Sequence, residues 1–542
     1  NAADYGRALV YGADGDIYLA GYSTGSGTYY DITVISLADA GDTHWVYRYD
    51  GSLSQYDYAY SIAYGLDDNL YITGDIWQNS TGYYDFAILS VDTTGTERWV
   101  YTYGDGNDPD YGRDIVYGAD GNLYAAGYTW GGSDQELAII QREPDNGGGW
   151  VYEYDNGYYD YAYAIAYGAD DNVYAAGESY GGAAPGYDAI VVSRTNANGN
   201  HWVYRYDGPA GSDDKYFDVI YGADDFIYAV GRINGNDGMA MANDLIVTKL
   251  DTAGNFEWNY TYNGPGNHKD VATAVVYGDD GNLYIAGYSN GTGTLINGLD
   301  FFVASLDTAG NERWTYRYDG PGAKNDEAWA LVFGPDTNVY VAGYSTNSAG
   351  NADFTVISFT TDGDTNWVYA YDGPGGGGDY ARAIDYGDDG YLYVGGYTTG
   401  SGTNYDMTVI SIDPTAAPVD TVPPQATSIT KAEKSGSDVR LYWNQVVLDT
   451  LDNPEEMDHY TVYRDTTPDF VPGVSDSIAA IAYPDTEYVD TGALLGPDSY
   501  YYLIMAVDAA GHKSKTSNMG YKLEKFLNEN PLTTDKNRGV LP

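Results

Sequence analysis

The chain has 542 residues, no cysteine, and 79 acidic against 25 basic side chains, for a formal charge of −54. That balance argues against nucleic acid as a partner, because phosphate binding needs the opposite sign. The missing cysteines exclude disulfides and thiolate-bound metal, and no apolar run approaches the ~18 residues of a membrane helix.

From residue 4 to residue 412 one cassette of about 53 residues recurs eight times. Its Tyr-Gly anchors begin at Tyr11, Tyr64, Tyr117, Tyr167, Tyr221, Tyr277 and Tyr386, with Phe333 in the seventh place. In the sixth cassette Asp270 to Tyr277 alternates apolar and small residues, the period of a strand. Gly278 to Asn282 supplies a hairpin turn, since Gly and Asn accept positive φ. Leu283 to Tyr288, Asp300 to Leu306 and Trp314 to Tyr318 follow as three more strands, with a turn at Asp307 to Asn311. Four short antiparallel strands per unit, with no helix between, predict an all-β, eight-bladed β-propeller over residues 1–415. A tryptophan recurs in the fourth strand at Trp45, Trp99, Trp150, Trp202, Trp258, Trp314 and Trp367. That makes seven.

The eighth cassette runs from Asp379 to Tyr386, Leu392 to Tyr397 and Tyr405 to Ile412, then enters a proline-rich joint. Its tryptophan strand is missing, so the last blade is expected to be incomplete. Asn1 stands three residues before Asp4, leaving the N-terminus nothing to lend, and proline in the joint cannot donate into a ladder. An unpaired edge templates pairing with another chain. Tyr405, Met407 and Val409 mark that edge.

The motifs Asp-Tyr-Ala-x-Ala-Ile, Gly-Asn-Leu-Tyr-x-Ala-Gly-Tyr and Leu-Asp-Thr-Ala-Gly-Asn-Glu-Arg-Trp resemble the bacterial SBBP-type β-propeller repeat and, more distantly, the PQQ-type blade. The resemblance implies a secreted or surface protein and supplies no reaction. The cofactor and metal residues of PQQ-binding enzymes have no counterpart here. Residues 416–424 read as a linker. Residues 425–520, with Trp443, His459 to Arg464 and Tyr500 to Gly511, look like a fibronectin type III sandwich. In that resemblance Trp443 is the core aromatic and Tyr500 the tyrosine corner. Residues 521–542 form a slightly basic tail carrying Leu523, Phe526, Leu527, Leu532, Val540 and Leu541, the candidate donor for the open edge.

Two sets of aspartates repeat with the anchors. Asp4, Asp57, Asp110, Asp160, Asp214, Asp270, Asp326 and Asp379 lie seven residues before them. A ring of such carboxylates at one channel mouth would suit Ca²⁺, although a residue repeated in every unit first suggests a structural bond to backbone N–H. Asp14, Asp67, Asp120, Asp170, Asp224, Asp280, Asp336 and Asp389, three residues after the anchors, read as turn formers. His44, His201, His268, His459 and His512 are dispersed, and no nucleophile elbow or phosphate loop appears. The expectation is therefore a non-enzymatic extracellular or cell-surface structural protein with no required cofactor, whose partners are copies of itself in a head-to-tail filament.

Two alternatives stand beside that expectation. One is a monomeric adhesin or lectin that stacks glycans on Trp77, Trp130, Tyr180 and the Tyr29–Tyr30 pair. The other is a secreted glycan-active hydrolase. Sequons at Asn79, Asn259 and Asn290 are candidate glycosylation sites. The Asn1 start reads as a processed or trimmed export product.

Overall fold

The computed structural model describes residues 3–415 except 25–28, 78–81, 105–107, 182–185, 210, 236–242, 267, 291–297, 323 and 401–403. Toward the C-terminus it describes 429–435, 437–446, 457–466, 477–493, 501–508 and 514. The chain forms two compact units, residues 1–416 and 417–542. Among the described residues the regular elements are all strands, and no helix is long and apolar enough to cross a membrane.

The first unit is a propeller-like array of antiparallel sheets, seven with four strands and a last one with three. Sheet 1 consists of Asp4–Tyr11, Ile17–Thr24, Tyr30–Leu37 and Thr43–Tyr49, each strand paired with the next. Sheets 2 to 7 repeat this plan over residues 58–103, 111–154, 160–206, 215–262, 270–318 and 327–371. Among the described residues sheet 8 holds Tyr380–Tyr386, Leu392–Thr399 and Tyr405–Ile412.

Packing explains the burial pattern. A sheet flanked by sheets on both faces buries its central strands on both sides, so they read as continuous apolar runs. Leu283–Asn290 and Leu299–Leu306 in sheet 6 are buried along their whole length. The Gly of each Ala-Gly-Tyr or related triplet is required by contact: a Cβ at Gly74 would lie 1.8 Å from the Tyr58 carbonyl oxygen, and one at Gly287 would lie 1.9 Å from that of Val271. Every first strand carries a β-bulge beside this glycine, the extra residue being Arg7, Tyr60, Arg113, Tyr163, Phe217, Thr273, Trp329 or Arg382. A bulge re-aims its side chain out of the pleat.

Adjacent sheets are tied by one aromatic pair used eight times. A second-strand tyrosine packs against the next sheet's anchor ring in the pairs Tyr18–Tyr64, Tyr71–Tyr117, Tyr124–Tyr167, Tyr174–Tyr221, Tyr228–Tyr277, Tyr284–Phe333 and Tyr340–Tyr386. The eighth pair, Tyr393–Tyr11 at 5.6 Å, joins sheet 8 back to sheet 1. Asp385 strengthens that return by accepting the Tyr11 N–H at 2.9 Å.

The second unit contains two three-stranded antiparallel sheets. One orders Ile429–Ser435, Asp438–Trp443 and Glu487–Asp490; the other orders Ser477–Ala482, Met457–Asp465 and Tyr501–Asp508. Both contribute to one apolar cluster that includes Leu441, Trp443, Tyr460, Val462, Tyr502 and Ile504. Trp443 is buried with its ring 5.5 Å from Tyr460. Tyr500, His512 and the tail residues Leu523, Phe526, Leu527, Leu532, Val540 and Leu541 lie outside the described residues.

Candidate functional site

The eight early aspartates stand at the head of the first strands, where the chain enters each sheet. In sheets 2, 5, 7 and 8 one carboxylate oxygen accepts the N–H of a glycine six residues earlier: Gly51, Gly208, Gly320 or Gly373. The other accepts the N–H of the residue twenty further on, at the end of the second strand: Trp77, Asn234, Thr346 or Thr399. The eight distances run from 2.5 to 2.9 Å. Asp4 and Asp110 make the second bond to Thr24 and Trp130, Asp160 accepts from Asn156, and Asp270 accepts from Gly264.

Each of these carboxylates therefore accepts at least one hydrogen bond beside the start of its own sheet. A calcium ion shared among them would compete with those donors for the same oxygens. Among the described residues, the acidic trios whose oxygens lie within 4.8 Å of one another are Asp134–Glu136–Asp155 and Asp353–Asp372–Asp379, and only Asp379 belongs to the repeated set. Burial raises Asp57 to about 7, Asp214 to about 6 and Asp326 to about 8, against the opposing pull of their backbone N–H donors.

The turn aspartates do more than shape a hairpin. Each accepts a hydroxyl from the tyrosine four residues later, in Tyr18–Asp14, Tyr71–Asp67, Tyr124–Asp120, Tyr174–Asp170, Tyr228–Asp224, Tyr284–Asp280, Tyr340–Asp336 and Tyr393–Asp389, at 2.5 to 2.7 Å. These tyrosines are the rings of the sheet-to-sheet pairs. One aspartate thus fixes both a turn and an inter-sheet contact.

The loop aromatics Trp77, Trp130 and Tyr180 share one structural position, the end of the second strand in sheets 2, 3 and 4. Elsewhere that position is Thr24, Asn234, Asn290, Thr346 or Thr399. Trp77 packs edge-on against Tyr84 at 5.0 Å, Tyr180 against Tyr187 at 5.3 Å, and Tyr29 against Tyr56 at 4.9 Å.

Two of the sequon asparagines lie within the described residues. Asn290 is buried and its amide donates to the Gly298 carbonyl at 3.1 Å. Asn259 lies within Phe256–Tyr262, half-buried and paired with Thr248. Asn290 therefore does not present the free amide that a glycan requires. Asn79 lies outside the described residues.

Two groups of residues escaped the sequence reading. The bulge residues touch one another between sheets, with Arg113 over Tyr60 at 4.5 Å and Arg382 over Trp329 at 4.4 Å. Five residue types share the eight positions, a variation inside an otherwise regular strand that is the signal that could have found them. The second group is the residue before each fourth-strand tryptophan. His44, Arg98, His201 and Arg313 reach back to their own sheet, bonding Asp16, Ser90, Ser193 and Ser305.

Sheet 8 differs from the rest along its third strand. In sheet 7, Phe354, Val356 and Ile357 are fully buried beneath the fourth strand. Their counterparts Met407, Val409 and Ile410 are only half-buried, and Asp406 and Ser411 are exposed. A cleft of about 360 Å³ opens between this edge and sheet 1, lined by Met407, Val409, Ser411 and Tyr393 on one side and by Ile35, Leu37 and the turn Ala38–Gly41 on the other. At the same place between other sheets a tryptophan ring lies on the turn glycine. Ideal Cβ atoms at Gly95, Gly254, Gly310 and Gly363 would come within 2.7 Å of Trp45, Trp202, Trp258 and Trp314. A Cβ at Gly41 would meet nothing within 4 Å.

No family model matches the chain. A curated protein, Regulatory protein FlaEY of Caulobacter vibrioides (strain ATCC 19089 / CIP 103742 / CB 15), is 29% identical over an alignment of 178 residues that covers 27% of this chain. The chain spans 18% of the length of that relative. Among solved structures, the work on two prolyl endopeptidases matches at TM-score 0.39 and 11% identity, covering 78% of this chain and 56% of that one. An acylaminoacyl peptidase of Pyrococcus horikoshii matches at TM-score 0.35 and 8% identity, covering 82% and 57%. A eukaryotic initiation factor matches at TM-score 0.34 and 11% identity, covering 68% and 88%.

Proposed function

We propose that the chain is a non-enzymatic extracellular structural subunit, an eight-bladed propeller with an unfinished last blade followed by a fibronectin III-like sandwich. Subunits join head to tail when the open edge accepts a strand from a neighbour. The cleft beside Tyr405–Ile412 carries this reading, because among the described residues it is the position in the repeat where a fourth strand is wanting and apolar side chains remain partly wet. An added strand making about five backbone hydrogen bonds contributes roughly 0.5–1.5 kcal/mol for each, and covering the cleft adds the burial of its apolar lining. A head-to-tail contact of this kind joins unlike surfaces, and it propagates as a filament unless the rotation between neighbours closes a ring.

The full chain at rising concentration, followed by light scattering and negative-stain electron microscopy, tests the reading. Fibres or a concentration-dependent rise in particle mass are expected. Single particles at every concentration overturn it.

The second reading, a glycan-binding adhesin, draws on the aromatic variation at Trp77, Trp130 and Tyr180. A glycan array on which Trp77→Ala and Trp130→Ala both lose signal would favour it.

A further inference from the structure

The same chain contains seven filled versions of the open edge, and they define what the eighth requires. In sheet 2 the fourth strand begins Glu97-Arg98-Trp99-Val100, and in sheet 6 it begins Glu312-Arg313-Trp314-Thr315. Each residue type has an assigned partner. The glutamate accepts a tyrosine hydroxyl from the preceding sheet, Tyr47 to Glu97 at 2.7 Å and Tyr260 to Glu312 at 2.6 Å. The arginine donates to the second-strand tyrosine hydroxyl and a third-strand serine, Arg98 to Tyr71 and Ser90, Arg313 to Tyr284 and Ser305. It also stands 3.8 or 3.7 Å from the turn aspartate, Asp67 or Asp280. The tryptophan pairs with the same serine and sends its N–H to a turn carbonyl of the next sheet.

Every one of those partners is present around sheet 8. Tyr369 of sheet 7 corresponds to Tyr47, while Tyr393, Ser411 and Asp389 correspond to Tyr71, Ser90 and Asp67. The turn Ala38–Gly41 offers the open space above Gly41. Beyond residue 520, Glu524-Lys525-Phe526-Leu527 repeats the order acid, base, aromatic, aliphatic.

We infer that Glu524–Asn530 of a second copy of the chain is the strand that completes sheet 8, antiparallel to Tyr405–Ile412, with Phe526 opposite Ser411. The inference rests on the strand-acceptor reading above and adds the donor and its register. In this register Glu524 accepts from Tyr369, Lys525 faces Asp389 and Tyr393, and Phe526 covers Gly41. A lysine meeting an aspartate also offsets, locally, the repulsion between two chains of charge −54. Phenylalanine fills the aromatic slot but has no N–H for the turn carbonyl, and Asn528 and Asn530 replace the two tyrosines of the built-in strands. The contact is therefore weaker than its seven templates. A whole folded unit separates Ile412 from Glu524, so no hairpin ties donor to acceptor.

Full-length variants test this. Phe526→Asp is expected to raise the concentration for half-assembly at least tenfold, and Lys525→Glu to raise it several-fold at low salt. Phe526→Trp, which restores the N–H, is expected to lower it several-fold. Because the chain has no cysteine, mixing Ser411→Cys chains with Phe526→Cys chains under oxidation should give disulfide-linked dimers of unlike chains. Fibres that form normally with Phe526→Asp, together with no mixed dimer, overturn the register and leave the acceptor reading standing. A chain carrying both cysteines that closes only within itself overturns the second copy as donor. A wild-type chain that never assembles removes both.

Discussion

Sheets 7 and 8 are built from nearly the same words, yet one is closed and the other open. Asp353-Phe-Thr-Val-Ile-Ser-Phe359 and Asp406-Met-Thr-Val-Ile-Ser-Ile412 differ at two positions. In sheet 7 Val356 is paired with Tyr369 and fully buried; in sheet 8 Val409, in the same place, lines a cleft. Among the described residues, what separates them is one strand, not local sequence. A strand's apolar face is thus a demand that its neighbours must meet.

The largest expected effect tests that demand directly. Val356→Asp places an unpaired carboxylate in a dry sheet and should cost about 4 kcal/mol or more, measured by denaturant unfolding. Val409→Asp should leave the unfolding midpoint of the isolated subunit nearly unchanged while abolishing assembly. Equal destabilisation by the two would mean the eighth edge is as covered as the seventh.

A pH series comes next. Asp57, Asp214 and Asp326 have folded values near 7, 6 and 8, above the ordinary 3.8. The folded state therefore holds protons that the unfolded state releases, and stability falls as pH rises from about 4 through 8. Each unit of displacement corresponds to about 1.4 kcal/mol, so Asp326 contributes the largest share of the fall and Asp214 the smallest. Neutralising part of a −54 surface acts in the same direction. Unfolding midpoints that climb between pH 5 and 8 would contradict it. Asp379 is raised by the same burial in the open sheet, so the comparison extends to Asp326→Asn and Asp379→Asn, each of which should flatten part of the slope.

Much of this was legible in the residues. The Tyr-Gly anchors, the turn words and the fourth-strand tryptophans mark strands and hairpins because those chemistries are local. The absent eighth tryptophan pointed to the edge. The tyrosine bonds were less visible. Asp14 and Tyr18 are four residues apart in every cassette, but reading them as partners requires knowing that the hairpin folds the second strand back over its own turn. The bulges at Arg7, Arg113 and Arg382 were hidden for a related reason: an extra residue in one strand shows only against its partner's register. Asn290 looked like an acceptor for glycans because a sequon carries no information about burial.

A smaller effect contrasts two turn glycines. Gly95 and Gly41 both have φ of +84°, so an alanine at either pays about 1–2 kcal/mol for the left-handed conformation. Only at Gly95 would the new Cβ strike an indole, 2.7 Å from Trp45. Gly95→Ala should cost a further 1–3 kcal/mol or so through overpacking. Gly41→Ala should spare the subunit and weaken assembly, since it fills the space Phe526 would take. A Gly41→Ala chain that assembles normally would argue that no side chain enters that space.

The smallest effect compares the same hydrogen bond in a closed and an open sheet. Tyr228 donates to Asp224 at 2.6 Å, and Lys249 bonds the same oxygen at 3.0 Å while lying 5.2 Å over the Tyr228 ring. Removing the hydroxyl with Tyr228→Phe strips one donor from a carboxylate that water reaches poorly, and should cost about 1–2 kcal/mol. Tyr393 donates to Asp389 at 2.5 Å, but it borders the cleft and its carboxylate partner is exposed. Water can take the place of that hydroxyl, so Tyr393→Phe should cost about 0.5 kcal/mol in the free subunit. In assembled material the cleft is covered and the two costs should converge. Convergence seen by unfolding above the assembly concentration, and absent below it, ties the worth of one phenol to the arrival of a strand.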